Sequence, residues 1–344
     1  MGAMSERHSR SWVDALFVQI ERIPGPPWLL YALLTVACTG TALGLRALDG
    51  SLAAGAFTPI TIAFAAFTVL PWAVAHYVSR AARLALADYR PALGELEPRY
   101  PELERGLTTM PVWASIVAPL IGLAVWTAGQ LTAAGAWGVN EHTSLSTNIA
   151  TFAFGIVLNT GFVVFIFRAI NQTRLIAFIH RESTAVDVWD TTPHRAFSRL
   201  TLAIAVSLVV PYAIVEAVAI GLGQSSVVEI ALLAGALVVA VIVFALPLDG
   251  MHRQLVREKG RVIGENASAF ATAGTRLHET IDGDLEHAAV LNSALQALTS
   301  ERARLREIST WPWSGSTVRG FVTSIGLPVL LFLLTAGLSR LLGL

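Results

Sequence analysis

The chain has 344 residues, of which 54% are apolar and only 14% charged, and its mean hydropathy is +0.61. A soluble domain carries nearer a quarter charged residues, so this composition argues against an ordinary globular enzyme and for a protein dissolved in lipid. The charges cancel to a net of zero, which removes any global field for nucleic acid, and no nucleic-acid partner is expected.

Residues 11–23 come first. Ser11-Trp12-Val13-Asp14 is a capping pattern, and Trp12, Leu16, Ile20 and Ile23 follow at near-helical spacing. The segment reads as an amphipathic helix, either lying on the inner leaflet or packed on a cytoplasmic bundle. Pro24-Gly25-Pro26-Pro27 stops it. No cleavable signal peptide is evident, since the first apolar run starts only at Trp28 after a charged stretch and other such runs follow.

Seven windows then have the length and polarity of membrane spans: 28–45, 55–78, 112–136, 147–168, 199–222, 226–247 and 320–341. Each matches the roughly 17–25 residues needed to cross a ~30 Å hydrocarbon core. Counts of six or eight are alternatives, because the second and fourth windows run on as helices. The fold class expected is an all-α integral membrane protein with seven spans and a cytoplasmic helical bundle. Its domains are an N-terminal segment 1–27, six spans over 28–248, a helical hairpin over 249–313, and a last span within 314–344. The single cysteine, Cys38, falls inside the first span and excludes an intrachain disulfide.

Arginine placement orients the spans. Arg80, Arg83, Arg90, Arg99 and Arg105 follow span 2, and Arg174, Arg181 and Arg195 follow span 4, flanked by Arg168 and Arg199. A larger group from Arg253 to Arg319, with the lone lysine Lys259, follows span 6. The connections 46–54, 137–146 and 223–225 hold only Arg46. The bias puts the N-terminus in the cytoplasm and the C-terminus outside. Trp28, Trp72, Trp113, Trp311 and Trp313 fall at the cytoplasmic ends of spans, where an interfacial aromatic belt belongs. With 23 arginines against one lysine, the composition suggests a GC-rich bacterial source, hence a multi-pass plasma (inner) membrane protein.

The longest polar stretches are helical. Span 4 continues without a breaker to about Ser183, ~20 Å beyond the membrane at 1.5 Å per residue. Thr192-Pro193 opens the helix that becomes span 5. In 249–318, Met251, Leu255, Val262, Phe270, Leu277 and Ile281 give one stripe, Asp282-Gly283-Asp284 a turn, and Leu291, Leu295, Leu298, Leu305 and Ile308 the returning stripe. The spacing is too ragged for a heptad coiled coil, and packing against the span 4 extension is expected. Trp311-Pro312-Trp313 ends this hairpin.

Ionisable groups at membrane depth are costly, so they are the natural site candidates. Glu216 in span 5 is the foremost, with Glu229 in span 6 at similar depth, Gln130 in span 3, and Arg340 near the outer end of span 7. Together they form a candidate outer-leaflet polar site, either an acidic vestibule for cations or a structural ion pair between Glu216 or Glu229 and Arg340. Asn159 in span 4 and Glu141-His142 in an outer loop are further polar groups. Thr323, Ser324 and Thr335 are candidate pore-lining residues of span 7, though hydroxyls at that spacing also satisfy their own backbone. His180-Arg181-Glu182 resembles a phosphoacceptor helix, but no glycine-rich nucleotide-binding domain follows and a surface histidine is expected. His252, His278 and His287 lack the cysteine or carboxylate partners of a metal site. No phosphate-binding, nucleophile-elbow or zinc-protease motif occurs, so neither enzyme activity nor a cofactor is expected. Gly40 and Gly44 have the spacing of helix contacts.

This layout, with seven spans, an inner N-terminus, an outer C-terminus and spans 4, 6 and 7 extended into a cytoplasmic bundle, resembles the plan of insect odorant and gustatory receptor channels. The resemblance is one of topology over most of the chain, and span 7 carries no sequence motif of that family. It implies a channel or receptor-channel in a homo-oligomer anchored by its cytoplasmic helices. The alternative is a non-conducting sensor or scaffold that signals through the hairpin to a cytoplasmic protein partner. An intramembrane enzyme or proton-coupled transporter has the thinnest basis.

Overall fold

The structure is a computed structural model that describes residues 11–52, 59–132, 144–183, 187–190, 192–221, 227–280, 284–313 and 315–342. Every regular element among them is helical: α1 (Trp12–Arg22), α2 (Pro27–Leu48), α3 (Pro59–Tyr89), α4 (Tyr100–Thr108), α5 (Val112–Thr132), α6 (Leu145–Glu182), α7 (Ala196–Gly221), α8 (Val227–Thr280), α9 (Leu285–Glu307) and α10 (Gly315–Leu342). Short 3₁₀ turns at Arg90–Ala92, Gly94–Arg99 and Pro193–Arg195 join them. Six stretches are long and apolar enough to cross a membrane: Pro27–Leu48, Thr61–Ala92, Gly94–Leu131, Leu145–Glu182, Ala196–Ile214 and Leu233–Glu279. The chain is therefore consistent with a multi-pass membrane protein. The expected hairpin turn at Asp282-Gly283 and the outer loop bearing Glu141-His142 lie outside the described residues.

Two helices organise the bundle. α6 packs on α3, α5 and α8, while α3 also meets α2 and α7. α5 and α3 approach α6 over glycine. A Cβ on Gly122 of α5 would lie 2.7 Å from the backbone nitrogen of Thr160 in α6. A Cβ on Gly161 would strike the Trp72 indole, whose Nε1 donates to the Val157 carbonyl at 3.1 Å. Trp72 is thus wedged between α3 and α6 and does not stand free in an interfacial belt, whereas Trp28 and Trp113 are both mostly exposed. Gly40 and Gly44 meet nothing within 4 Å, so the close contacts expected there are not made among the described residues. Of α2 only Tyr31 is buried.

A second, smaller core joins α7, α8 and α10. Ala205, Val209, Ala213, Leu233, Ala240 and Phe244 form it, and Phe321 and Trp313 stack on Phe244. From this core α8 runs on without a break. Its 54 residues make a rod ~80 Å long at 1.5 Å per residue. Met251 and Leu255 are buried at its base, next to the end of α6, where Gln254 Nε2 donates to the carbonyls of Arg181 and Ser183.

α9 packs back along α8. Its buried face is Ala288 and Leu305, with Leu291, Leu295 and Leu298 half-buried between them. The stripe expected on α8 is only partly used. Phe270 is 41% exposed, and the buried residue at that level is Asn266, whose Nδ2 donates to the Leu298 carbonyl at 3.0 Å and to Glu301 at 2.8 Å. Lys259 Nζ donates to the carbonyls of Arg306 and Ile308 at 3.0 and 2.7 Å, placing a cation on the last carbonyls of α9 where the helix dipole is negative.

Candidate functional site

The deepest charges among the described residues are Asp14 and Arg168, and neither stands among the residues that sequence reasoning singled out as a site. Both are almost wholly buried, at 7% and 2% exposed. Arg168 Nη2 donates to Asp14 Oδ1 at 2.5 Å, joining α1 to α6 across 154 positions of sequence.

The pair sits where two helix ends meet. α4 ends at Thr108 and α5 begins at Val112, leaving the last carbonyls of one and the first amides of the other without partners in their own helices. α6 supplies donors to the carbonyls. Arg168 Nη1 bonds Thr108 O at 2.6 Å, Asn171 Nδ2 bonds Gly106 O at 2.6 Å, and Gln172 Nε2 bonds Leu107 O at 2.9 Å. α1 supplies an acceptor to the link between them, since the Asp14 carboxylate receives the Met110 N–H, two residues before α5, at 3.1 Å. The cation therefore lies at the negative end of α4 and the anion at the positive end of α5, each the favourable sign. Ser79 of α3 accepts a further bond from Arg168 Nη1 at 2.6 Å, and Arg168 Nε has no hydrogen-bond partner.

α1 is held for the same reason. Ser11 caps it, accepting the Asp14 N–H at 3.2 Å and donating to the Asp14 carboxylate at 2.8 Å. Val13, Phe17 and Ile20 are buried with Asp14, so of the stripe expected from Trp12, Leu16, Ile20 and Ile23 only Ile20 is buried. Trp12 and Ile23 are 44% and 47% exposed, and the Trp12 indole donates to the Ser115 carbonyl at 2.7 Å. α1 packs on α2 and α5 through this buried face. Phe17 lies under the Arg168 guanidinium at 5.0 Å and stacks on His76 at 4.9 Å. His76 in turn meets Tyr31 of α2 at 3.1 Å and Glu21 of α1 at 3.3 Å.

His180 lies on the same helix, three turns on. The expectation of a surface histidine is wrong: it is fully buried, its Nδ1 lies 2.9 Å from the Pro247 carbonyl, and its ring packs on Tyr89 and Phe197. The physical reason is that the α6 extension does not enter water here but lies beneath the start of the α8 extension. His252 stacks face to face on Trp311 at 3.8 Å, with Nδ1 3.0 Å from the Thr310 carbonyl, while His278 and His287 are exposed.

The sequence-derived site residues are not brought together in view. The side chains of Glu216, Glu229, Thr335 and Arg340 lie outside the described ones, as does any pairing between them. Gln130 is half-buried on α5, Asn159 donates to Gly155 O of its own helix at 2.8 Å, Thr323 is exposed and Ser324 half-buried. Among the described residues no group of three histidine, cysteine or acidic side chains is close enough to hold a metal ion.

The Asp14–Arg168 centre has the chemistry of a clamp. Arginine does not deprotonate in proteins, and among the described residues no serine–histidine or cysteine–histidine hydrogen bond flanks it. Its carboxylate is spent on one cation, the Met110 amide and the Ser11 hydroxyl. Asp14 was findable, as the one acid on the apolar face of α1. Arg168 was masked because it sits where topology rules expect a solvated arginine. No family model matches the chain, and neither a curated protein nor a solved structure matches it.

Proposed function

We propose that the chain is a non-enzymatic membrane protein of seven spans that relays the state of its membrane bundle to a cytoplasmic α8–α9 hairpin. The carrying observation is the continuity of α8, one 54-residue helix whose first part shares a core with α7 and α10 and whose second part pairs with α9. A helix that spans both regions transmits a tilt at one end to the other. α10, 28 residues long, supplies the seventh span. The arginine bias places the N-terminus and the hairpin inside and the C-terminus outside. The surroundings proposed are the inner membrane, a homo-oligomeric assembly and a soluble protein that reads the hairpin.

A second reading, a receptor-channel, draws on α10. It packs on α7 while Thr323 is exposed, and Val322, Leu330, Leu333 and Leu334 are all more than half exposed. In an oligomer that face could turn to a shared axis.

One set of experiments separates the two. A reporter fused after Leu344 is expected to read outside and one inserted at Asp284 inside; a cytoplasmic C-terminus would overturn the seven-span layout. In a Cys38→Ser background, spin labels at Glu182 and Thr272 should change separation between thin and thick bilayers if α8 relays a membrane state. A separation that stays fixed in both sinks the relay. Single-channel current from the purified protein would instead support the channel.

A further inference from the structure

The clamp leaves one buried titratable group unused. His76 is 3% exposed on α3, and both of its ring nitrogens meet polar atoms of other helices. Nε2 lies 3.3 Å from Glu21 Oε1 of α1, and Nδ1 lies 3.1 Å from the Tyr31 hydroxyl of α2. An ionised carboxylate can only accept, so Nε2 carries the ring proton and donates it to Glu21. Nδ1 is then an acceptor, and the Tyr31 hydroxyl donates to it. Tyr31 is the one buried residue of α2, so this bond is made at the point where that helix enters the core.

The arrangement is complete only while His76 is neutral. A protonated imidazole has two N–H groups and no acceptor. Nδ1 then meets Tyr31 as a donor, and the phenol proton loses its partner in a place closed to water. The surrounding charges work in the same direction. The ionisable groups facing the ring are Glu21 of α1, Tyr31 of α2, Arg80 of α3 at 4.0 Å from Glu21, and Arg168 of α6. Arg168 stands across the Phe17 ring from His76 and is paired with Asp14 of α1. Glu21 answers Arg80 and Asp14 answers Arg168, so a third cation here has no anion of its own.

We propose that His76 is a proton-sensing latch for α2, which holds the start of that helix on α3 while the ring is neutral and releases it when Nδ1 takes up one proton from water. Histidine suits the task, because its charge ordinarily changes between about pH 5 and 8. When α2 moves off, Nδ1 becomes an open acceptor and binds the proton. The charged ring cannot then be covered again without stranding the phenol proton, so acid favours the released form. The chain is built to let α2 move alone. No helix continues from α1 into α2, since Gly25 between them adopts φ +113°, a conformation open to glycine. A gap of about 90 Å³ beside Ile20, Ile23, Leu30 and Leu33 separates the end of one from the start of the other. α1 meanwhile stays fixed through Asp14. Neither α8 nor α9 takes part, so the latch and the proposed relay stand or fall separately.

The test uses the full chain, one copy per lipid nanodisc, in a Cys38→Ser background with spin labels at Leu29 of α2 and Leu84 of α3, both exposed. One separation is expected at about pH 8. A second, longer one should appear at about pH 5, which is still above the usual carboxylate range. His76→Gln cannot take up the proton and should lose the response. Tyr31→Phe has no phenol proton to strand, and its response should be several-fold smaller. Thermal melts confirm that each variant is folded, and if His76→Gln is not, Tyr31→Phe decides alone. A single separation at both pH values, a response that survives in His76→Gln, or one undiminished in Tyr31→Phe would each overturn the proposal.

Discussion

The interior of α6 and the two arms of the hairpin are held by different physics. Around Arg168, five elements converge on charged and amide groups that have no water to fall back on, so each bond there is obligatory. Between α8 and α9, the seam is a row of half-buried leucines with one buried amide, Asn266, among them. Exposed pairs such as Arg261 with Glu258 and Glu265 contribute little beside them. The first region specifies one arrangement, and the second tolerates adjustment. That contrast suits a molecule with a fixed bundle and a moving reporter arm.

Breaking the clamp should have the largest effect. Asp14→Ala leaves Arg168 buried without its counter-charge, a change that costs about 3–5 kcal/mol in comparable buried pairs. The expected outcome is a large drop in melting temperature in detergent, with release of α1 seen as faster hydrogen exchange at residues 12–22. The double replacement Asp14→Leu with Arg168→Met should recover most of the loss, since apolar side chains of similar volume can substitute for a buried pair. A double variant as unstable as Asp14→Ala would show that the carbonyl contacts at Thr108 matter more than the pair.

The arm should respond less sharply. Leu305 is fully buried at its base, and Leu305→Ala should cost about 2–5 kcal/mol of local stability. Leu298→Ala, from a half-buried position, should cost clearly less. Proteolysis within 249–313 measures this opening directly, and equal sensitivity in the two variants would mean the seam is uniform and not anchored at its base.

Much of this was legible in sequence, for reasons particular to each element. Window length and polarity mark the apolar helices because lipid demands both. Ser11 and Pro24-Gly25 mark the ends of α1 because capping and breaking are local, and Gly25 adopts φ +113°. What is not local was missed. The burial of Arg168 depends on the α4 carbonyls, which enter the site from about 60 positions away. Asn266 replaced Phe270 in the seam because Leu298 O and Glu301 on the returning helix gave it partners, and no helical period on α8 alone encodes them. His180 is buried for the same kind of reason, under α8. As for the outer polar candidates, Glu216, Glu229 and Arg340 fall where no side chain is described.

Gly155→Ala sharpens the comparison inside the bundle. The added methyl would collide with the Trp126 ring and force it out of place, and overpacking of this kind costs about 1–3 kcal/mol. A lowered melting temperature with α1 still protected from hydrogen exchange is expected, because Trp126 lies well away from the clamp along α5. Loss of protection at residues 12–22 would mean that the two ends of the bundle are coupled.

The smallest effect is expected at Asp49, which ties the end of α2 to the start of α6. Ser51, the Thr147 hydroxyl and the Ser144 amide all bond to its carboxylate, the last two at 2.6 and 3.2 Å. Those bonds, that of Ser51 foremost, hold its pKa below the usual carboxylate value. A depressed folded pKa contributes stability that is fully present above the unfolded value, about 3.9 for aspartate, and is lost as the pH falls toward the folded one. Asp49→Asn removes the charge and so the dependence. The difference in melting temperature between wild type and variant should therefore be constant from pH 7 to about 5 and shrink below about 4. The group is partly exposed, so the whole difference should be small beside that of Asp14. A difference that persists undiminished at low pH would show that the amide geometry, and not the charge, is what joins α2 to α6.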